Sequence, residues 1–281
     1  LLLDEPGQSL HALKQAEFIE TLTKLSESNQ TLYTTHSPFL VGSNELDKVR
    51  VVEMPDRTVG TKVNVSLTAS DSGAMLPLQE ALGYDLAQSL FFHNKNLVLE
   101  GLTDMWYLES LSDLLKADGK IGIDDQIALI PANSASKVVY FATILHAQNL
   151  KLAALLDSDT EGDTAAKQDT LVNAVGAKRI LRTKDAYTGQ VANPEIEDIL
   201  RETLLDIAKN ECGWDAIAVA QAQPKRPVVD VIKSVAKTDF SKYKLAKAFI
   251  RWSRDHSMTD LKTDEIAQAE KLIEKINKAL Q

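Results

Sequence analysis

Apolar residues in this chain cluster in two ways. Short runs at 1–3, 97–99, 127–130 and 152–156 are too brief for a free-standing helix and show no alternation. That pattern predicts strands buried on both faces. Residues 31–35 read as a further short strand. Between these runs the apolar positions recur three or four apart. Leu10, Leu13, Ile19, Leu22 and Leu25 predict a helix to about Ser26, and Trp106, Leu108, Leu111 and Leu115 predict one opened by Thr103-Asp104. A third helix is expected over 137–148. Strand and helix thus alternate with short connections, which predicts a parallel sheet with right-handed crossovers.

Residues 49–53 and the alternating Val63, Val65 and Leu67 read as two more strands. A Ser, Thr, Asp and Gly-rich stretch at 66–73 marks a loop and a domain boundary. Residues 76–92 read as a helical connector. The C-terminal third is helical in outline, over 195–209, 228–237, 241–254 and 264–280. In the last of these Ile266, Ala269, Ile273, Ile276 and Leu280 form one apolar face, the pattern of a packing helix. The expected division is 1–72, a connector over 73–93, an α/β core over 94–200 and a helical region over 201–281.

Composition narrows the class. With 281 residues, 44% hydrophobic and 25% charged, the chain is long enough for two domains and a substantial core. No apolar run is long enough for a membrane span and no secretory signal opens the sequence. A single cysteine, Cys212, excludes an internal disulfide framework, and the five histidines lack ligand spacing, so a structural zinc site is not expected. A cytoplasmic setting follows as an expectation. The opening LLLDEP reads as a strand already in progress, as expected of a piece of a larger protein.

The run LAALLDSDTEGD at 152–163 carries the chemistry. A buried strand delivers Asp157, Asp159 and Glu161, two residues apart, to its carboxyl end, where an open parallel sheet places its ligand crevice. Carboxylates there can converge on a cation, or they can simply cap the next helix. Glu100-Gly101 ends an earlier strand, and the expected topology puts Glu100 on the same edge. Net charge is −9, but residues 221–260 hold nine Lys/Arg against four Asp, a local +5 that leaves −14 elsewhere. That distribution suits an enzyme acting on a polyanion, with Lys225, Arg226, Lys247, Arg251 and Arg254 as candidate DNA contacts; a solvated helix face is the plainer reading.

Two stretches resemble known families. LLLDEPGQSLH with THSPFL resembles the second half of an ABC-type ATPase. The resemblance implies Asp4 as the Walker B magnesium ligand, Glu5 as the residue that activates water and His36 as the γ-phosphate sensor. The chain has no G-x-x-x-x-G-K-[ST] loop, so ATP binding and hydrolysis are expected only with a missing N-terminal part. LVLEGLTD followed by LLDSDTEGD resembles the Toprim domain of topoisomerases, primases and some nucleases. A Toprim directly behind the end of an ABC ATPase is similar to the C-terminal region of the OLD (overcoming lysogenization defect) nucleases. The fold implied is α/β, a Toprim-like parallel sheet flanked by helices, between a partial ATPase segment and a C-terminal helical region.

Carried over by residue, that resemblance implies metal ligands at Glu100, Asp104, Asp157 and Asp159, with Glu161 close by. It further implies an acidic group from Pro194-Glu195-Ile196-Glu197-Asp198, with Glu197 preferred, and a late active-site lysine, Lys242 before Lys244. Oxygen-only ligands of high charge select two Mg²⁺ or Mn²⁺. Such a pair hydrolyses a phosphodiester by activating water and stabilising the leaving oxygen, with Glu100, Asp157, Asp159 and the lysine as the catalytic set. The resemblance also implies DNA as partner, a homodimer formed through the ATPase part, a helicase-type partner, and a role in phage defence or DNA repair. Topoisomerase or primase chemistry, and a non-catalytic DNA-binding regulatory ATPase, stay open at this point.

Overall fold

In the computed structural model the described residues are 1–7, 10, 12–26, 28–35, 40, 48, 50–54, 57–58, 60–64, 94–132, 134–147 and 150–281. They fall into two compact units, Leu1–Ala87 and Gln88–Gln281.

In the first unit β1 (Leu2–Asp4) runs parallel to β2 (Leu32–Thr34), with Asp4 level with Thr34, and α1 (Ala12–Ser26) connects them. Leu22 of α1 is buried, and the buried Gln15 side chain donates to the carbonyls of Gly7 and Leu10, both at 3.0 Å. A hairpin of β3 (Val51–Glu53) and β4 (Lys62–Asn64) follows, pairing Val52 with Val63. His36, Val65, Leu67, the boundary loop and the connector expected over 76–92 lie outside the described residues.

The second unit is built on four parallel strands: β5 (Lys95–Leu99), β6 (Ile127–Pro131), β7 (Lys151–Leu156) and β8 (Ile180–Arg182), ordered β6-β5-β7-β8. Leu97, Val98 and Leu99 of β5 and Leu152, Ala153, Ala154 and Leu156 of β7 are buried, as the unbroken apolar runs require of central strands. The register Leu99↔Leu155 sets Glu100 level with Leu156, one residue before Asp157. The crossover from β5 to β6 runs one way across the sheet, and those from β6 to β7 and β7 to β8 run the other. With right-handed crossovers their helices cover opposite faces. Helix α2 (Leu102–Ala117) takes one face; α3 (Ala135–Ala147), α4 (Thr160–Ala166) and α5 (Asp169–Val175) pack together on the other.

The C-terminal helices are α6 (Ile196–Ile199), α7 (Arg201–Cys212), α8 (Ile217–Ala222), α9 (Val228–Ala236), α10 (Lys242–Asp255) and α11 (Thr263–Ala279). Helix α10 packs on both α2 and α7, and its Phe249 ring lies 5.4 Å from that of Tyr107. The single helix expected over 195–209 is two helices broken at Leu200. Asp198 explains the break: its buried carboxylate accepts from the Glu195 amide at 3.0 Å and the Val228 amide at 2.8 Å, and lies 3.4 Å from Arg201. A side chain serving a distant segment fixes the turn against helical propagation. Gly162 and Asp163 lie inside α4. The sequence reading also had no counterpart for β8, α5 or α8. No helix among the described residues is long and apolar enough to cross a membrane.

Candidate active site

The carboxyl edge of the second sheet collects acidic side chains from four segments. Glu100 stands at the end of β5, half-buried, and its Oε2 accepts from the Asp157 amide at 3.2 Å. Burial raises its pKa first, and the charges of Asp159 and Glu161 add to the rise. One helical turn on, the buried Asp104 folds back so that its Oδ2 accepts from the Gly101 amide at 2.8 Å. Its pKa is raised to about 7, by burial above all and then by Glu197.

The turn after β7 is held on every side. Asp157 Oδ1 accepts from Thr183 Oγ1 and from the Ile196 amide, each at 3.2 Å. The buried Ser158 donates its amide to the Pro194 carbonyl at 3.2 Å, and its Oγ accepts from the Lys184 amide at 2.9 Å. Asp159 is the N-cap of α4 and accepts from the Gly162 amide at 2.7 Å, so the capping role is real for this residue. Glu161 is exposed on the first turn of α4. Asp157 has its pKa pushed well up, by burial first and then by Asp104 and Glu197.

Glu197 completes the group. It is 1% exposed, and neither carboxylate oxygen has a hydrogen-bond partner. Its pKa is raised by burial, with Lys242 opposing. Lys242 Nζ lies 2.6 Å from Glu195 Oε2 and 3.5 Å from Glu197 Oε1. The second distance is an ion pair without hydrogen-bond geometry. Burial works to lower the lysine's pKa, and the charges of Glu197 and Glu195 overcome it and raise it. Five carboxyl groups, Glu100, Asp104, Asp157, Glu195 and Glu197, therefore share an edge with one ammonium.

Among the described residues no group of three His, Cys, Asp or Glu side chains stands ready to hold a metal ion. The donor chemistry nevertheless fits a hard divalent cation, because the ligands are all oxygen and the Glu197 carboxylate is buried with both oxygens unsatisfied. Lys242 pairs with Glu197 Oε1 at 3.5 Å, and a proton or a divalent cation would offset the carboxylate charge that this ammonium leaves.

Other residues singled out from sequence have contacts or exposure of their own. Lys244 reaches Asp239 at 3.0 Å and sits 4.6 Å over the Trp214 ring. Lys225 and Arg254 are exposed, Lys247 is half-buried, Arg226 donates to Gln223 at 3.1 Å and Arg251 pairs with Glu211 at 3.2 Å. In the first unit Asp4 Oδ1 accepts from Thr34 Oγ1, and Glu5 holds a left-handed φ of +44° while its amide donates to the Thr34 carbonyl at 3.1 Å. Four residues at the edge had no sequence signal assigned to them: Ser158, Arg182, Thr183 and Lys184. The hint available was the pair Ile180-Leu181 after Gly176, a three-residue strand ending in polar residues.

The geometry defines an α/β protein with parallel strands, flanking helices and an acidic carboxyl edge. Residues 1–42 match the family model described as an AAA domain, AbiEii toxin, of a type IV TA system, so this segment is similar to part of an AAA-type ATPase domain. The chain is similar to the uncharacterized protein MJECL43 of Methanocaldococcus jannaschii, at 38% identity over 219 residues, covering 71% of this chain and 50% of that protein. It thus spans about half the length of the curated relative it matches.

Proposed function

We propose that this chain is the C-terminal region of an OLD-type ATPase–nuclease, and that its Toprim-like unit cleaves DNA phosphodiesters with Mg²⁺ or Mn²⁺. The observation that carries this reading is the buried, unsatisfied Glu197 carboxylate beside Asp104, Asp157 and Lys242, at the edge that also bears Glu100. Glu100, Asp104, Asp157, Asp159 and Glu197 are the residues that would hold the cations, with Glu161 at the rim. Bound there, divalent ions supply an ionised water and a stabilised leaving oxygen.

The chain's own residues do the rest. Thr183 and the Ile196 amide hold Asp157 Oδ1, which leaves Oδ2 without a hydrogen bond among the described residues and able to face a cation. Lys242, steered by Glu195, offsets charge that builds on the phosphoryl oxygens. Lys225, Arg226, Lys247, Arg251 and Arg254 are assigned to phosphate contacts. ATP use belongs to the whole protein, as do a homodimer through the ATPase part and a helicase-type partner. A role in phage defence or DNA repair is part of the same proposal.

Supercoiled plasmid incubated with the protein and Mg²⁺, Mn²⁺ or Ca²⁺ tests the reading. Nicked and linear products without ATP, lost in Asp157→Ala, support it. Closed relaxed topoisomers would instead indicate strand passage, and an intact but retained plasmid would indicate a binding module. Either result overturns the nuclease reading.

A further inference from the structure

Arg182 is out of place for an edge-strand arginine. It ends β8, level with Leu156, yet it is only 7% exposed. Its guanidinium reaches none of the edge carboxylates. Nε donates to the Asp157 carbonyl oxygen at 3.1 Å, Nη2 donates to the same oxygen, and Nη1 donates to Asp163 Oδ1 at 2.6 Å. One cation thus ties the backbone at Asp157 to the first turns of α4.

The surroundings leave that carbonyl no freedom. A Cβ on Gly162 would stand 2.2 Å from the Asp157 oxygen and 3.1 Å from Arg182 Nη2, so glycine lets the helix start close against both. The residues after Arg182 grip the same turn: Thr183 Oγ1 holds Asp157 Oδ1 and the Lys184 amide holds Ser158 Oγ. Arg182 is itself fixed by its amide, which donates to Asp185 Oδ2 at 2.9 Å.

We propose that Arg182 is a positioning residue for the acidic edge: by clamping the Asp157 carbonyl to Asp163 it sets the aim of the Asp157 and Asp159 carboxylates toward a divalent cation. The metal part rests on the nuclease reading; the clamp itself does not. A guanidinium suits the task because its planar fork serves one oxygen with two donors and a second partner with the third, which an ammonium cannot reproduce.

The full chain, Arg182→Met and Arg182→Lys are compared in three measurements. In EDTA, hydrogen exchange of the segment 156–163 should be at least tenfold faster in Arg182→Met, with the exchange of α10 and α11 unchanged. Mn²⁺ titration by calorimetry should show affinity lowered about 10–100-fold, the range typical of lost outer-sphere support, with Arg182→Lys in between. Plasmid nicking at saturating Mn²⁺ should recover in part, since the carboxylates are intact. If Arg182→Met fails to fold, Thr183→Val takes its place, removing a single hydroxyl from the same grip, with Mn²⁺ affinity again expected to fall.

Equal exchange and equal Mn²⁺ affinity in a folded variant would overturn the inference while leaving the nuclease reading standing. Wild-type protein that binds no Mn²⁺ would overturn that reading, and the exchange comparison would still decide on the clamp.

Discussion

Replacing Asp104 with asparagine keeps an oxygen for the Gly101 amide and removes one charge from the crowded edge. In the folded protein the Asp104 pKa rises from 3.8 to about 7. The folded state therefore holds a proton that the unfolded chain has released, and stability falls as pH rises through about 4 to 7. A rise of about three units corresponds to a destabilisation of ~4 kcal/mol at pH 8. Asparagine returns part of the gain, because its buried amide hydrogens cost about 1–3 kcal/mol where they find no acceptor. The net expectation is a metal-free variant about 1–3 kcal/mol more stable than wild type at pH 8. For a unit of this size that raises Tm by roughly 2–10 °C.

Differential scanning calorimetry in EDTA at pH 8 and pH 5 measures this directly. At pH 5 only about 1.6 kcal/mol of that cost has accrued, since the pH has passed 3.8 by little more than one unit, and the asparagine penalty offsets it, so the advantage should disappear. Added Mn²⁺ should reverse the order, since only the intact edge gains from cation binding. A variant less stable than wild type at pH 8 in EDTA, or equally stabilised at both pH values, would refute the electrostatic account.

Two further perturbations probe the same edge. Gly162→Ala pushes a methyl group against the Asp157 carbonyl, a backbone atom that cannot swing aside; urea unfolding should show a loss of about 1–3 kcal/mol and plasmid nicking should cease. Lys242→Met leaves Glu195 and Glu197 without their cation. With its side chain 37% exposed, the expected cost at pH 8 is a discounted ~1–3 kcal/mol, shrinking as pH falls and Glu197, whose pKa burial raises, takes up a proton; unfolding at pH 8 and pH 5 checks it.

Much of the sheet was legible because its central strands are unbroken apolar runs; β5 and β7 needed no tertiary information. Strand β8 escaped because only Ile180 and Leu181 are apolar, and its place depends on pairing with β7. Helix 195–209 was read as continuous because nothing local forbids it; the break at Leu200 follows from Asp198 capping a segment thirty residues away. At the edge, Asp157 and Asp159 stand out by their spacing and Glu100 by its place at a strand end, so these three could be named from sequence. Their supports, Arg182 and Thr183, are common residues whose role lies in what they touch. Lys242 and Lys244, two residues apart, differ in what they touch: one lies beside Glu195 and Glu197, the other on Trp214 and Asp239.

The acidic edge draws on segments far apart in the chain, and its ammonium arrives last, at residue 242, on a helix that packs against the one bearing Asp104. During synthesis the carboxylates leave the ribosome well before their countercharge. A nascent polypeptide ending short of α10 therefore carries the acids without the group that balances them.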